Sequence, residues 1–223
     1  MRIPGLGAWE DDPAWASIYD WTVEHPRLGG ALWRFGLGSD LGELHRATDE
    51  IGRQPAGASI LDIPCGGGVA LRGLRPGQGV RYVAADISQA MLDRTMHAAG
   101  VRGVEVEPVI ADVGALQFDD GEFDLVLSFT GLHCFPNPEK AVHELARVAR
   151  PGGVLSGSAL LKSHSLRAIP LMVAGRLMDL LGPGVTADEL PAWLNEAGFT
   201  DIVIRQSGPM AYFRAVRRDP ESR

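Results

Sequence analysis

Ser59-Ile60-Leu61-Asp62-Ile63-Pro64-Cys65-Gly66-Gly67-Gly68 decides the fold. A short apolar run stops at an acid, glycines come next, and a helix-compatible segment begins. A run such as Ile60 to Ile63 reads as a buried strand. The glycines let backbone approach a ligand more closely than side chains would allow. Between a strand and a helix start, such a loop is where α/β folds hold nucleotide-like cofactors.

The pattern repeats outward from this loop. Val80 to Ile87 is a second apolar run, broken by Asp86. An acid roughly 20 residues beyond a glycine loop can accept hydrogen bonds from a ribose diol. Val104 to Asp112 is a third strand ending in an acid. Phe123 to Ser128 is a fourth, ending in a small polar residue. Arg147 to Leu155 gives a helix end, a Pro-Gly-Gly turn and a fifth strand. Strands alternating with helices argue for a parallel sheet. Ser88 suits an N-cap for a helix to about Ala98 with Gly100 as its stop. Asn137-Pro138 opens another, running to about Ala149. Thr186 and Glu189 form a capping box for a helix to Ala197. Thr200–Arg205 and Met210–Val216 read as a pair of strands.

Outside this core stand two other segments. Residues 1–55 read as an N-terminal helical cap with helices at Pro13–Glu24 and Asp40–Ile51. Leu166 to Leu181 is apolar nearly all round, so something must cover it. It reads as a second core helix and homodimer contact, or as a lid within segment 163–184 lining the acceptor pocket, and the two roles do not exclude each other. The α/β domain proper is expected to span 56–217, with a flexible tail at 218–223.

Composition narrows the class. The chain has 223 residues, 45% of them apolar, enough for one α/β domain with additions. A net charge of −7 disfavours nucleic acid as a partner. No apolar run is long enough for a membrane span. Met1 to Glu10 lacks a secretory pattern, so a cytoplasmic location is expected. Cys65 and Cys134 make neither a disulfide framework nor a metal site. A dinucleotide fingerprint needs a small residue at position 71, where Leu71 stands. No Gly-Lys-Ser/Thr comes after the glycines, which excludes a P-loop.

The ordered series resembles the class I S-adenosylmethionine-dependent methyltransferases, particularly those acting on small molecules. Leu61, Asp62, Cys65, Gly66 and Gly68 match the family's first motif; Pro64 replaces its usual glycine and removes one N–H donor. The resemblance implies a Rossmann-like seven-stranded sheet of order 3-2-1-4-5-7-6, with the last-numbered strand antiparallel. It implies S-adenosyl-L-methionine as cofactor. Asp62 would approach the methionine amine, and Cys65, Gly66 and Gly68 would present backbone to it. Asp86 would take the ribose hydroxyls and Ile87 would lie on the adenine. Asp112 and the Val113 N–H would read the adenine edge, and the Ser128 carbonyl would face the amine. Pro64, Met91 and Tyr19 complete the expected cofactor set.

Any one of these acids could equally be a turn or cap residue; their register after successive strands favours the cofactor. The expected acceptor is a fairly apolar small molecule, methylated at O, N or C. Trp15, His133, Ile169, Met172 and Leu177 are the candidates to line its site. His133 is the catalytic candidate, to take a proton or to stabilise charge. Its alternative is a structural role, because a Leu-His pair recurs across relatives with different acceptors. The alternative functions are a non-catalytic cofactor-binding module and, more weakly, a nicotinamide-dependent oxidoreductase.

Overall fold

The computed structural model of the chain describes residues 22–23, 25–162 and 181–219. The expected helix at Pro13–Glu24, apart from residues 22–23, and nearly all of the 163–184 segment lie outside these residues. Seven strands form one sheet in the order β3-β2-β1-β4-β5-β7-β6. They are β1 (Ser59–Asp62), β2 (Arg81–Asp86), β3 (Glu107–Ile110), β4 (Phe123–Phe129), β5 (Ala149–Leu160), β6 (Phe199–Ser207) and β7 (Met210–Arg217). β1 pairs in parallel with β2 and β4, and β4 with β5. Only β7 runs against its neighbours β5 and β6, as the resemblance implied.

Central parallel strands are covered on both faces, so they must be apolar on both. β1 and β4 obey this: Ile60, Leu61, Leu125, Val126 and Leu127 have no exposed surface. One face packs on α4 (Pro138–Val148) and α5 (Glu189–Glu196). The buried side of α4 is Ala141, Val142, Leu145, Ala146 and Val148, a helical spacing. Asn137 caps it by accepting the Lys140 N–H, with Pro138 in its first turn. The other face packs on α2 (Leu41–Gly52) and α3 (Gln89–Arg102). Leu44 and Ile51 of α2 join the same core as Ile60, Leu71 and Tyr82. The described part of the N-terminal segment is therefore a layer on the sheet, sharing its core. It begins with α1 (Pro26–Leu32), which runs on into a π turn at Trp33–Leu37.

Two boundaries differ from expectation. α3 continues through Gly100 to Arg102, and Gly103 takes the left-handed conformation that ends it. Gly100 is exposed and meets no obstacle, so the helix passes through it. Arg218 is not loose tail: its N–H donates to the Gly198 carbonyl. Among the described residues no helix is long and apolar enough to cross a membrane.

Candidate cofactor and acceptor site

Strand order reverses between β1 and β4. In open α/β sheets this switch point leaves a crevice at the carboxyl ends of the strands. The β1 loop enters it under tight control. Ile63 N–H donates to Leu127 O and Cys65 N–H to Ala85 O, so strand pairing carries on into the loop. Gly66 has φ +51°, its N–H donates to Asp86 Oδ2 at 3.0 Å, and its carbonyl accepts from Thr95 Oγ at 2.7 Å. Gly68 has φ +86°, and a Cβ there would stand 3.0 Å from Leu71 Cδ1. The chain then forms a short 3₁₀ turn, Val69–Gly73, in place of the expected α-helix. The site thus lacks the long helix N-terminus that a pyrophosphate would use, which weighs further against a dinucleotide.

Two buried carboxylates define the crevice. Asp62 is 1% exposed and its Oδ2 accepts from Tyr82 OH at 2.8 Å. Burial pushes its pKa up to about 7; the tyrosine bond opposes the rise and the nearby Asp86 charge adds to it. Asp86 is 4% exposed. Its Oδ1 accepts the Ser88 N–H and its Oδ2 the Gly66 N–H. Burial raises its pKa too, against the pull of those N–H groups. Among the described residues no basic side chain acts on either acid. Both carboxylates keep unused lone pairs. Burial likewise pushes the Cys65 thiol up, so it stays protonated.

The rim is different. Asp112 is exposed, and its Oδ1 accepts the Gly114 N–H at 2.8 Å in a local turn. Val113 beside it is buried. Ile87 is 52% exposed at the end of β2, and Ile110, the β3 partner of Asp86, is 55% exposed. Ile87 was an expected adenine contact; Ile110 was not foreseen. Met91 is buried on the inner side of α3, with its N–H donating to the N-cap Ser88.

At the end of β4, Ser128 is fully buried and its Oγ has no hydrogen-bond partner among the described residues. Its carbonyl lies against Gly157 of β5, where a Cβ would approach it within 2.4 Å. Thr130 comes two residues later in the left-handed region at φ +54°, its N–H held by Ser158 Oγ at 3.0 Å. Gly131 is required there: a Cβ would stand 2.5 Å from Pro64 Cδ and 2.7 Å from Phe135 Cζ. The His133 ring bridges two strand ends, its Nδ1 accepting the Leu160 N–H at 3.0 Å. The ring is half-buried by surface, yet its surroundings push its pKa down to about 4. It is neutral at physiological pH, and since Nδ1 accepts, the ring proton sits on Nε2.

Structure thus brings together Asp62, Pro64, Cys65, Gly66, Gly68, Asp86 and Ser128 around the switch point, with His133 fixed at the β5 end. Tyr19, Trp15, Ile169, Met172 and Leu177 lie outside the described residues. Tyr82 and Thr95 were missed, because a tyrosine within a strand and a threonine on a helix read as packing. A separate cleft of about 410 Å³ lies between α1, its π turn and α2, lined by Arg34, Phe35, Asp40 and His45 among others. None of the strand-end residues lines it.

These features test the cofactor. S-adenosylmethionine carries an ammonium, a sulfonium and a ribose diol. Buried acids without a basic partner and an unsatisfied Ser128 hydroxyl fit such a cationic, hydroxyl-bearing group. A seven-stranded sheet of this order with this crevice defines a Rossmann-like methyltransferase domain. The Methyltransferase domain family matches residues 61–156. A demethylmenaquinone methyltransferase of Clavibacter sepedonicus is 33% identical over 231 residues, covering 91% of this chain and 86% of that one. Another, from Thermus thermophilus, is 40% identical over 120 residues, spanning 53% of this chain and 54% of the relative. That match thus covers only about half of either protein. A crystal structure of a Bordetella parapertussis protein superposes with a TM-score of 0.74 at 18% identity, covering 92% of this chain and 79% of that one. The chain belongs to the class I S-adenosylmethionine-dependent methyltransferases and is an enzyme of that kind.

Proposed function

We propose that this methyltransferase acts on a small, largely apolar quinol-type ring, placing the methyl group on a ring carbon or oxygen. The observation that carries the reading is the fixed tautomer of His133. Its Nδ1 is occupied by the Leu160 N–H, so the ring offers an N–H donor rather than a base. A donor of that kind suits an acceptor oxygen on which negative charge grows. The likeness to a demethylmenaquinone methyltransferase over most of both chains supports the acceptor class.

The cofactor, when bound, supplies an electrophilic methyl carbon. Asp62 and Ser128 would hold its methionine end and Asp86 its ribose. The Gly66 and Gly68 backbone would let it sit close to β1. Alignment and exclusion of water then do most of the catalysis. His133 holds the acceptor oxygen in its ionised form; its proton passes to solvent, since the ring accepts none.

A demethylmenaquinol analogue with a shortened tail tests the reading, with product mass as the readout. Methylated quinol should form. His133→Ala should lose roughly 100-fold in turnover, the scale of one lost donor. His133→Gln keeps an N–H and should recover most of that loss. A turnover limb near neutral pH that disappears in His133→Ala would instead make the histidine a base. Methylation of amines but not of the quinol would overturn the acceptor class.

A further inference from the structure

Tyr82 and Asp62 meet across the β1–β2 pair, in a place that the family motif does not mark. In the register, Ile60 faces Tyr82 and Asp62 faces Ala84. Side chains two apart on a strand share a face, roughly 7 Å apart. Ala84 is small, so the Tyr82 ring can lie along β2 over it and reach the acid beyond. Its hydroxyl ends 2.8 Å from Asp62 Oδ2, with both residues buried. Asp62 Oδ1 has no hydrogen-bond partner among the described residues.

We infer that Tyr82 is a positioning residue for the cofactor: its O–H occupies one oxygen of Asp62, aims the other at the crevice, and keeps the carboxylate ionised when the cation binds. The inference rests on the cofactor and holds for any acceptor. A phenol hydroxyl donates to a carboxylate far better than to a carboxylic acid, so it favours the charged form. Among the described residues, the titratable groups facing Asp62 are Tyr82 and Asp86 from β2 and Cys65 from the loop. Tyr82 and Cys65 stay protonated, because burial raises both. Asp86 disfavours a second negative charge. Among the described residues, Tyr82 is therefore the neighbour that favours the charged form before the ligand arrives.

Binding must then be coupled to a proton. A cation is held well by ionised Asp62 and poorly by the neutral acid. Affinity should rise with pH through about 7, the Asp62 value, and level off above it. Each molecule that binds below that point releases a proton.

Calorimetry of S-adenosylmethionine with the full chain, from pH 5.5 to 9, tests this, using two buffers of different ionisation heat to count protons. The wild type should show the rise and a proton release that fades above pH 8. Tyr82→Phe should move the midpoint upward by about one pKa unit, weakening binding roughly fivefold at pH 7 and approaching tenfold at pH 5.5. At pH 9 its affinity should return to near wild type. Equal weakening at every pH would make Tyr82 only a packing residue and overturn the inference. Asp62→Asn leaves the tyrosine in the core and should abolish both the pH dependence and the proton release; persistence of either also overturns it. Failure of the wild type to bind at any pH would instead strike the cofactor assignment itself.

Discussion

Acids at two places in this molecule have opposite surroundings. Asp62 and Asp86 are buried at the switch point, with no basic side chain among the described residues acting on them and their pKa values raised. Glu144 lies on α4, on the opposite face of the sheet, and is gripped by Arg147. Its Oε1 accepts from Arg147 Nε and its Oε2 from Nη2, both at 2.9 Å. That pairing holds its carboxyl below the usual range. A satisfied ion pair serves the fold. Buried acids left without a cation oppose the fold and await one from outside.

The largest expected effect comes from Asp62. Its folded pKa of about 7 stands above the ordinary 3.8. The folded chain then binds more protons than the unfolded one between those values, so stability falls as pH rises from about 4 to about 7. The penalty is absent below about 4 and complete above about 7. Its ceiling is on the order of 4 kcal/mol, at 1.36 kcal/mol per pKa unit. Asp62→Asn should therefore melt higher than the wild type at pH 8 and alike at pH 4. Scanning calorimetry at the two pH values checks this. A variant less stable at pH 8 would mean that the acid is satisfied by something other than a ligand.

Asp86 breaks the comparison differently, because its oxygens are already at work on the Gly66 and Ser88 N–H groups. Asp86→Ala should lose cofactor affinity by roughly 100-fold, about two charged hydrogen bonds at the lower end of their range. It should also lower the melting temperature of the free chain, since two N–H donors lose their partner. A sequence reading alone would leave that free-chain stability unchanged. Unaltered melting together with lost affinity would show that the loop stands without its acid.

The architecture was legible because strand ends carry their marks in sequence. Asp62, Asp86 and Asp112 each end an apolar run, and all three lie beside the carboxyl ends of β1, β2 and β3. Depth was not legible. Asp62 and Asp112 look alike as letters, yet one is buried and the other sits in an exposed turn. Depth depends on what packs above, which is a long-range property. The Tyr82 contact was hidden for the same reason: it needs the β1–β2 register and a small Ala84 between. The tautomer of His133 depends on Leu160, 27 residues away. The loop glycine at 131 gave no periodic signal; only Pro64 and Phe135 against it explain why nothing larger fits.

The smallest expected effect lies with Arg147. Besides Glu144 it donates from Nη1 to Phe118 O and Asp120 Oδ1, and from Nη2 to Leu116 O. Glu144 in turn accepts the Leu116 N–H. The pair therefore stitches the loop before β4 onto α4. The side chains stay partly exposed, so solvent screens their charges and the ion pair by itself contributes little. The carbonyl bonds matter more. Arg147→Met should destabilise the chain by about 2 kcal/mol, near the value of a charged hydrogen-bond cluster at a half-exposed site. The loss should shrink on acidification: Glu144 is depressed, so its contribution is present at neutral pH and fades as pH falls through its folded value. That slope is opposite in sign to the one set by Asp62. Cofactor affinity should not move, because none of these groups reaches the crevice. Denaturant titration at pH 7 and pH 4 gives the two stabilities, and calorimetry gives the affinity. If Arg147→Met weakened cofactor binding as strongly as Asp86→Ala, the division between paired structural acids and bare functional ones would fail.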